Sequence, residues 1–178
     1  MLFATALSWA QKMVVPMEQQ VPLLLKILIF DRNLETRVGN EIVIGILYQE
    51  RFRRSLNVKD DFINSTDHSI KNSVNNIPIK TVSIDVESND LETVVMREKI
   101  DLFYIAPLRA FSMDKITDVS RSMRIMTLTG VPEYVEAGIT VGIGLKGGRP
   151  NILINLEAAK AEGVDFSSRL LRLAQIIE

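Results

Sequence analysis

A glycine-rich stretch near the end of the chain contains the first residues whose types and spacing could do chemistry. Gly142, Gly144 and Gly147 match G-x-G-x-x-G, the pattern that binds a pyrophosphate at the N-terminus of a following helix. In this chain a further glycine, an arginine and a proline follow, and then another apolar run. We interpret the stretch as a β-hairpin turn, because glycine accepts the positive φ that a tight turn needs. A phosphate-binding loop is the alternative.

Catalytic motifs are otherwise missing from the sequence. The chain has no cysteine and a single histidine, His68, which excludes thiol catalysis, disulfides and cysteine-built zinc sites. It also lacks a Walker loop, a G-x-S-x-G elbow and an H-E-x-x-H motif. We therefore expect no catalytic residue, no cofactor and no metal site. A binding or regulatory role is favoured, and an enzyme with an unrecognised site is the alternative.

A ligand cleft is predicted where several strands of the chain end. Ligands of open α/β sheets bind beyond the carboxyl ends of the strands. Asp85 is the only carboxylate that we place there, so no pair of carboxylates is available for acid–base catalysis. The candidate cleft residues that follow predicted strands are Tyr48, Gln49, Arg109, Thr129 and Gly130.

Length and composition predict one globular domain. The chain has 178 residues, of which 47% are apolar and 24% charged, and its formal net charge is -1. This length allows a single domain with a sizeable core. Because the chain has no basic bias, we expect no nucleic acid partner.

The N-terminus resembles the end of a secretory signal. Residues 1–10 are apolar and small, and Ser8 and Ala10 are spaced like the residues that precede a signal-peptidase cut. We interpret residues 1–16 as a signal remnant with a disordered N-terminus, and residues 17–178 as a single domain. An ordinary apolar N-terminus is the alternative. The apolar run at residues 21–30 is predicted as a buried first helix, since a membrane span needs ~20 apolar residues.

The middle of the chain alternates between strands and helices. Strands are predicted at residues 41–47, 79–84, 101–106 and 124–129. Helices are predicted between them, the second and third capped by Ser88 and Ser112. Residues 60–76 are predicted as a long, partly helical surface excursion. The alternation predicts βαβ units with a mostly parallel sheet and helices on both faces.

The tail is predicted as an antiparallel hairpin followed by two helices. Two apolar runs, at residues 139–145 and 152–156, flank the glycine-rich turn. Asn155 is predicted to cap the first helix and Gly163 to end it. With the preceding elements, this tail predicts an α/β fold. We expect a three-layer sandwich with a mostly parallel sheet, a C-terminal antiparallel hairpin and two terminal helices.

The second tail helix is predicted to begin at Ser167. Phe166 and Leu171 are spaced as a hydrophobic staple around that cap. The apolar residues behind it recur at helical spacing and are predicted to pack on the core. They are Leu170, Leu173, Ala174 and Ile177.

The hairpin and tail together resemble the C-terminal signature of the YfiR-like family of small bacterial periplasmic proteins. The apolar first helix and the order of strands and helices are similar to that family too. The matching tail residues are Ile154, Asn155, Leu156, Ala158, Ala159, Gly163, Ser167, Ser168, Leu170, Leu171, Leu173 and Ala174. The cysteines that form disulfides in some members are missing here.

The resemblance implies a periplasmic α/β sandwich without enzymatic activity. It also implies a homodimer that restrains a membrane-bound diguanylate cyclase by contacting the periplasmic sensor domain of the cyclase. An outer-membrane lipoprotein would relieve that restraint by sequestering the regulator. The alternative within this resemblance is a small-molecule receptor that uses the strand-end cleft.

Overall fold

The computed structural model describes residues 15–67 and 73–177. Its strands form one sheet of eight, in the order β2-β3-β1-β4-β5-β6-β7-β8. The strands are β1 (Ile42–Tyr48), β2 (Ser73–Val74), β3 (Ile77–Asp85), β4 (Leu102–Ile105), β5 (Met126–Thr129), β6 (Val141–Lys146), β7 (Arg149–Asn155) and β8 (Gln175–Ile177). The helices are α1 (Met17–Leu28), α2 (Leu34–Arg37), α3 (Arg53–Asp67), α4 (Leu91–Glu98), α5 (Asp114–Met123), α6 (Glu133–Glu136), α7 (Leu156–Ala161) and α8 (Ser168–Leu171).

The sheet is mostly parallel, as the alternation of strands and helices predicts. Strands β3, β1, β4, β5 and β6 run parallel to one another. Strand β2 pairs antiparallel with β3, and β7 pairs antiparallel with β6. The predicted mostly parallel α/β sheet and its C-terminal antiparallel hairpin are therefore confirmed.

Apolar side chains bury both faces of the sheet, which gives three layers. One core cluster lies between the sheet and helices α1 and α3. The other lies between the sheet and helices α4 and α5. Strands β1, β4 and β5 are buried along almost their whole length, as is typical of parallel strands covered on both faces.

Helix α3 corrects the predicted surface excursion at residues 60–76. The helix continues to Asp67, and its side chains Val58, Phe62 and Thr66 are buried at a spacing of four residues. Phe62 is 1% exposed, and the centroid of its ring lies 4.2 Å from that of Tyr104. The helical part of the prediction is confirmed up to Asp67. The surface position is wrong, because the polar residues of this segment occupy only the outer face of an amphipathic helix. His68 lies outside the described residues.

The caps predicted for the helices now seen as α4 and α5 are wrong. Helix α4 is capped by Asp90, whose side chain accepts a hydrogen bond from the Thr93 backbone N–H. Ser88 instead donates to the Asp85 carboxylate, with 2.6 Å between the two oxygens. Helix α5 begins after Met113 without a side-chain cap, so Ser112 does not cap it. Helix α1 also begins at Met17, earlier than predicted, and therefore contains Pro22 within it.

The predicted hairpin and first tail helix are confirmed. Lys146 pairs with Arg149 across Gly147 and Gly148, whose φ values are 57° and 76°. A two-residue hairpin turn with positive φ at both positions favours glycine, which explains the sequence there. Asn155 caps α7 by accepting a hydrogen bond from the Ala158 N–H at 2.9 Å.

The second tail helix is much shorter than predicted. It ends at Leu171, and residues Gln175–Ile177 form strand β8 beside β7. Leu173 is 67% exposed, so the prediction that it packs in the core is wrong. The Ser167 side chain makes no cap hydrogen bond. A helix of one or two turns is marginal by itself, and pairing with the β7 edge satisfies backbone groups that would otherwise need water.

Candidate functional site

Gln49 and Arg109, two of the predicted cleft residues, are adjacent in the structure. The Gln49 side-chain amide donates to the Arg109 carbonyl at 3.0 Å and to the Glu87 carboxylate at 3.1 Å. Its oxygen accepts from the Arg109 N–H at 2.6 Å. Gln49 thus joins the loops that follow β1, β3 and β4, and its hydrogen-bonding groups are used within the protein.

The other three predicted residues make contacts of their own, none of them with that pair. The Thr129 hydroxyl donates to the Ile105 carbonyl at 2.9 Å. A Cβ on Gly130 would overlap the side chain of Gln20 from α1, which covers this position. The Tyr48 ring has the Lys59 ammonium 5.1 Å from its centroid. A ligand cleft built from all five residues therefore stays a prediction.

A buried polar cluster holds α1 on the sheet above Thr129 and Gly130. The Tyr104 hydroxyl donates to the Gln20 side-chain oxygen at 3.3 Å. The Gln20 amide in turn donates to the Val15 carbonyl at 2.5 Å. Burial raises the pKa of Tyr104 far above its usual range, so its hydroxyl stays neutral. The cluster is a structural contact between helix and sheet.

An open groove lies between α1 and the hairpin end of β7, and we call it the α1–β7 groove. Its volume is about 330 Å³. Apolar side chains from both elements form most of its lining, with a lysine at one side. The lining residues are Gln19, Pro22, Leu23, Lys26, Pro150, Asn151, Ile152 and Leu173.

The short last strand explains why this groove is open. Strand β8 pairs with Leu153–Asn155, the second half of β7. Within the described residues, the first half of β7 therefore has β6 as its only strand neighbour. Helix α1 buries Val21, Leu24 and Leu28 against the sheet and leaves Pro22 and Leu23 beside that free edge. The result is an apolar surface next to unpaired backbone groups.

Three basic side chains lie in the groove or near its hairpin end. Lys26 lines it, and Lys146 and Arg149 flank the hairpin turn at its end, both exposed. Leu145, which pairs with Pro150, is 46% exposed and extends the apolar surface toward that turn. Sequence reasoning missed this surface because it assigned Leu173 to the core.

The carboxylate of Glu162 is buried in the core at the end of α7. Among the described residues, no basic side chain is bonded to it. Glu162 accepts hydrogen bonds from the hydroxyls of Ser120 at 2.8 Å, Thr127 at 2.9 Å and Thr140 at 2.5 Å. The Thr127 backbone N–H donates to it as well, at 2.9 Å. Desolvation raises the pKa of Glu162, and these four donors oppose that rise.

Within residues 15–67 and 73–177 no helix is long and apolar enough to cross a membrane. The same residues contain no group of three or more His, Cys, Asp or Glu side chains that could hold a metal ion.

The chain matches the profile of one protein family over most of its length. The profile of the YfiR/HmsC-like family matches residues 34–175. A comparison with curated proteins finds no match.

Solved structures show a similar fold. One is the ABC domain of Streptococcus pneumoniae in complex with L-Trp, with TM-score 0.60 and 17% identity over 91% of this chain and 60% of that one. A conserved domain protein of Vibrio cholerae has TM-score 0.55 and 16% identity over 92% and 60% of the two chains. A substrate-binding protein with adhesive properties from Clostridium difficile, in its ligand-free open form, has TM-score 0.55 and 16% identity over 82% and 57%. The chain thus spans about three fifths of the length of these structures.

Proposed function

The chain belongs to the YfiR/HmsC-like family, and from this membership we propose that it is a non-enzymatic regulator that restrains a membrane-bound diguanylate cyclase. It acts by binding the periplasmic sensor part of that cyclase. The family indicates a periplasmic regulator, and the resemblance of the tail to family members supports the cyclase as target.

The α1–β7 groove is the surface that we assign to this partner, and its exposed apolar lining carries the proposal. Specific protein interfaces have an apolar centre and a polar rim. Leu173 and Ile152 supply such a centre, and Lys26 and Arg149 lie at its edge. The matching partner surface therefore presents an apolar side chain surrounded by carboxylates, since complementary charge favours association.

Two further partners belong to the same proposal. An outer-membrane lipoprotein sequesters the regulator and so releases the cyclase. The regulator itself is a homodimer. If lipoprotein and cyclase use the same groove, each excludes the other, and relief of the restraint follows from simple competition.

The proposal is tested by placing a carboxylate in the groove. Leu173→Asp introduces a desolvation cost and like-charge repulsion at the apolar centre of the interface. Because Leu173 is 67% exposed, the substitution should leave the stability of the fold nearly unchanged. Calorimetric titration against purified periplasmic sensor domains of membrane diguanylate cyclases should show affinity weakened at least ~10-fold, the effect of ~1.4 kcal/mol.

Met96→Asp is the matched control. Met96 is 66% exposed and lies on α4, on the opposite face of the sheet. The Met96→Asp variant should bind the sensor domain with the same affinity as the unmodified chain. Equal affinity of the Leu173 variant would refute the groove as the binding surface. Failure of the unmodified chain to bind any such sensor domain would refute the cyclase as target.

A small-molecule receptor is the second candidate function. A cleft of about 340 Å³ between α4 and α5 favours it, because Val86 and Phe111, two of its lining residues, lie just beyond strands β3 and β4. This is the end of the sheet where ligands of α/β proteins bind. Thermal stabilisation of the chain by a small molecule, lost on changing Phe111→Ala, would support this candidate.

A further inference from the structure

A cleft at the opposite end of the sheet plays no part in the function proposed above. It lies beside the residues that precede β1 and β5, and its volume is about 480 Å³. We call it the arginine cleft. Its lining residues are Asn33, Thr36, Arg37, Met123, Arg124 and Gly163.

Arg37 is held in this cleft with part of its guanidinium unused. Its Nη2 forms an ion pair with the buried Asp31 carboxylate, and its side chain is 15% exposed. Its Nη1 lies 3.5 Å from the Arg124 carbonyl, the limit of a hydrogen bond. Its Nε is buried and has no acceptor among the described residues. A buried donor without a partner is unusual in folded proteins and marks a position where a bound water or ion can supply the acceptor.

Arg124 supplies a second guanidinium to the same cleft. It ends α5 in the left-handed conformation, with φ 55° and ψ 47°. Gly163 has no side chain, and the Arg124 Cδ lies 3.5 Å from where its Cβ would be, so the arginine packs across it. Asn33 holds this wall by donating to the Gly163 carbonyl at 3.0 Å. Within the described residues the Arg124 guanidinium makes no ion pair.

Among the described residues that line the cleft, two are arginines and none is a carboxylate. Asp31 is the carboxylate in contact with Arg37, and it already accepts the backbone N–H groups of Asn33 and Asp165, each at 3.0 Å. Asp31 neutralises the guanidinium of Arg37, on which the Asp101 carboxylate also acts electrostatically. The Arg124 guanidinium has no ion pair among the described residues and is available to a ligand. Planar guanidinium groups bind carboxylate and phosphate in a bidentate manner.

We propose that the arginine cleft binds a small oxyanion, a carboxylate or phosphate group carried by a metabolite. The guanidinium groups of Arg124 and Arg37, which both line the cleft, are its donors. The volume of the cleft falls within the range of about 300–1,000 Å³ that small-molecule sites occupy, so a metabolite larger than a bare anion fits in it.

Calorimetric titration at constant ionic strength tests this site with inorganic phosphate and, separately, with citrate. We expect saturable binding of at least one of the two probes, and the tighter one identifies phosphate or carboxylate as the preferred group. Arg124→Asn should weaken that binding at least tenfold, because it removes a charged donor. Asparagine tolerates the left-handed conformation, so the variant should fold.

Lys99→Asn is the matched control. Lys99 ends α4 in the same left-handed conformation, with φ 55° and ψ 52°, and it lies outside the arginine cleft. Its loss should leave anion binding unchanged. Binding that falls equally in both variants would show a general charge effect and refute the site. Failure of both probes to bind the unmodified chain would refute it as well, whereas the groove variant Leu173→Asp should bind them normally.

Discussion

Glu162 lies between α7 and β5, and four neutral donors surround its carboxylate. Desolvation raises its folded-state pKa above the ordinary value of 4.5. The folded protein therefore keeps this proton at pH values where the unfolded chain has lost it. By linkage, the contribution of Glu162 to the free energy of unfolding falls as pH rises from about 4.5 to the raised pKa.

Glu162→Gln should remove that pH dependence. Urea titrations of both proteins at several pH values measure the difference between their free energies of unfolding. Above pH 4.5, stability of the unmodified chain relative to the variant should fall by up to ~1.4 kcal/mol per pH unit until the raised pKa is passed. Glu157→Gln, at an exposed position of the same helix, is the control for exchange of a carboxylate for an amide. A constant difference across this range would contradict a raised pKa of Glu162.

At the scale of elements, the glycine pattern in β6 has a packing explanation. A Cβ on Gly142 would overlap the Val135 side chain, which β-branching makes stiff. A Cβ on Gly144 would lie 3.4 Å from the nearest atom, the Pro132 Cγ, which is ordinary contact. The glycine at position 142 thus lets α6 approach the sheet closely, and no phosphate is needed to explain it.

The two glycines should therefore respond differently to substitution. Gly142→Ala should cost ~1–3 kcal/mol of unfolding free energy, the usual cost of overpacking. Gly144→Ala should cost less than ~1 kcal/mol because space for a methyl group exists. Urea titration measures both. Binding of NAD or ATP that either substitution abolished would restore the phosphate-loop alternative.

Across the whole molecule, Asp31 connects the end of α1 to the C-terminal tail. Its side chain is buried and forms the ion pair with Arg37, and the Asp165 backbone N–H donates to it at 3.0 Å. Asp31 also forms a β-bridge with Phe166. Residues separated by more than one hundred positions in sequence are thereby held together.

Asp31→Asn should destabilise the whole fold because it leaves the Arg37 charge largely buried without its partner. We expect a loss of ~3 kcal/mol, the lower end of the range for breaking a buried pair, since the amide oxygen still accepts from backbone. Asp165→Asn breaks the exposed pair with Arg32, where the side chains are 58% and 52% exposed, and should cost under ~1 kcal/mol. Urea titration of both variants measures this contrast, and similar losses in the two would show that the Asp31 pair is not structural.

Several elements could be predicted from the sequence because their signals are local. Buried strands such as β1 and β4 are short apolar runs, and the hairpin follows from Gly147 and Gly148. The cap at Asn155 likewise depends on residues three apart. The family resemblance of the tail depends on the same local pattern, and the family profile over residues 34–175 confirms it.

Tertiary structure decided the end of the chain and both proposed binding surfaces. The spacing of Leu170 and Leu173 fits a helix, yet pairing of β8 with β7 ends that helix and exposes Leu173. The α1–β7 groove and the arginine cleft each combine residues more than one hundred positions apart. No local pattern encodes such a surface, because it forms where separate elements meet. The free energy of that packing outweighs the preference of a short segment for helix.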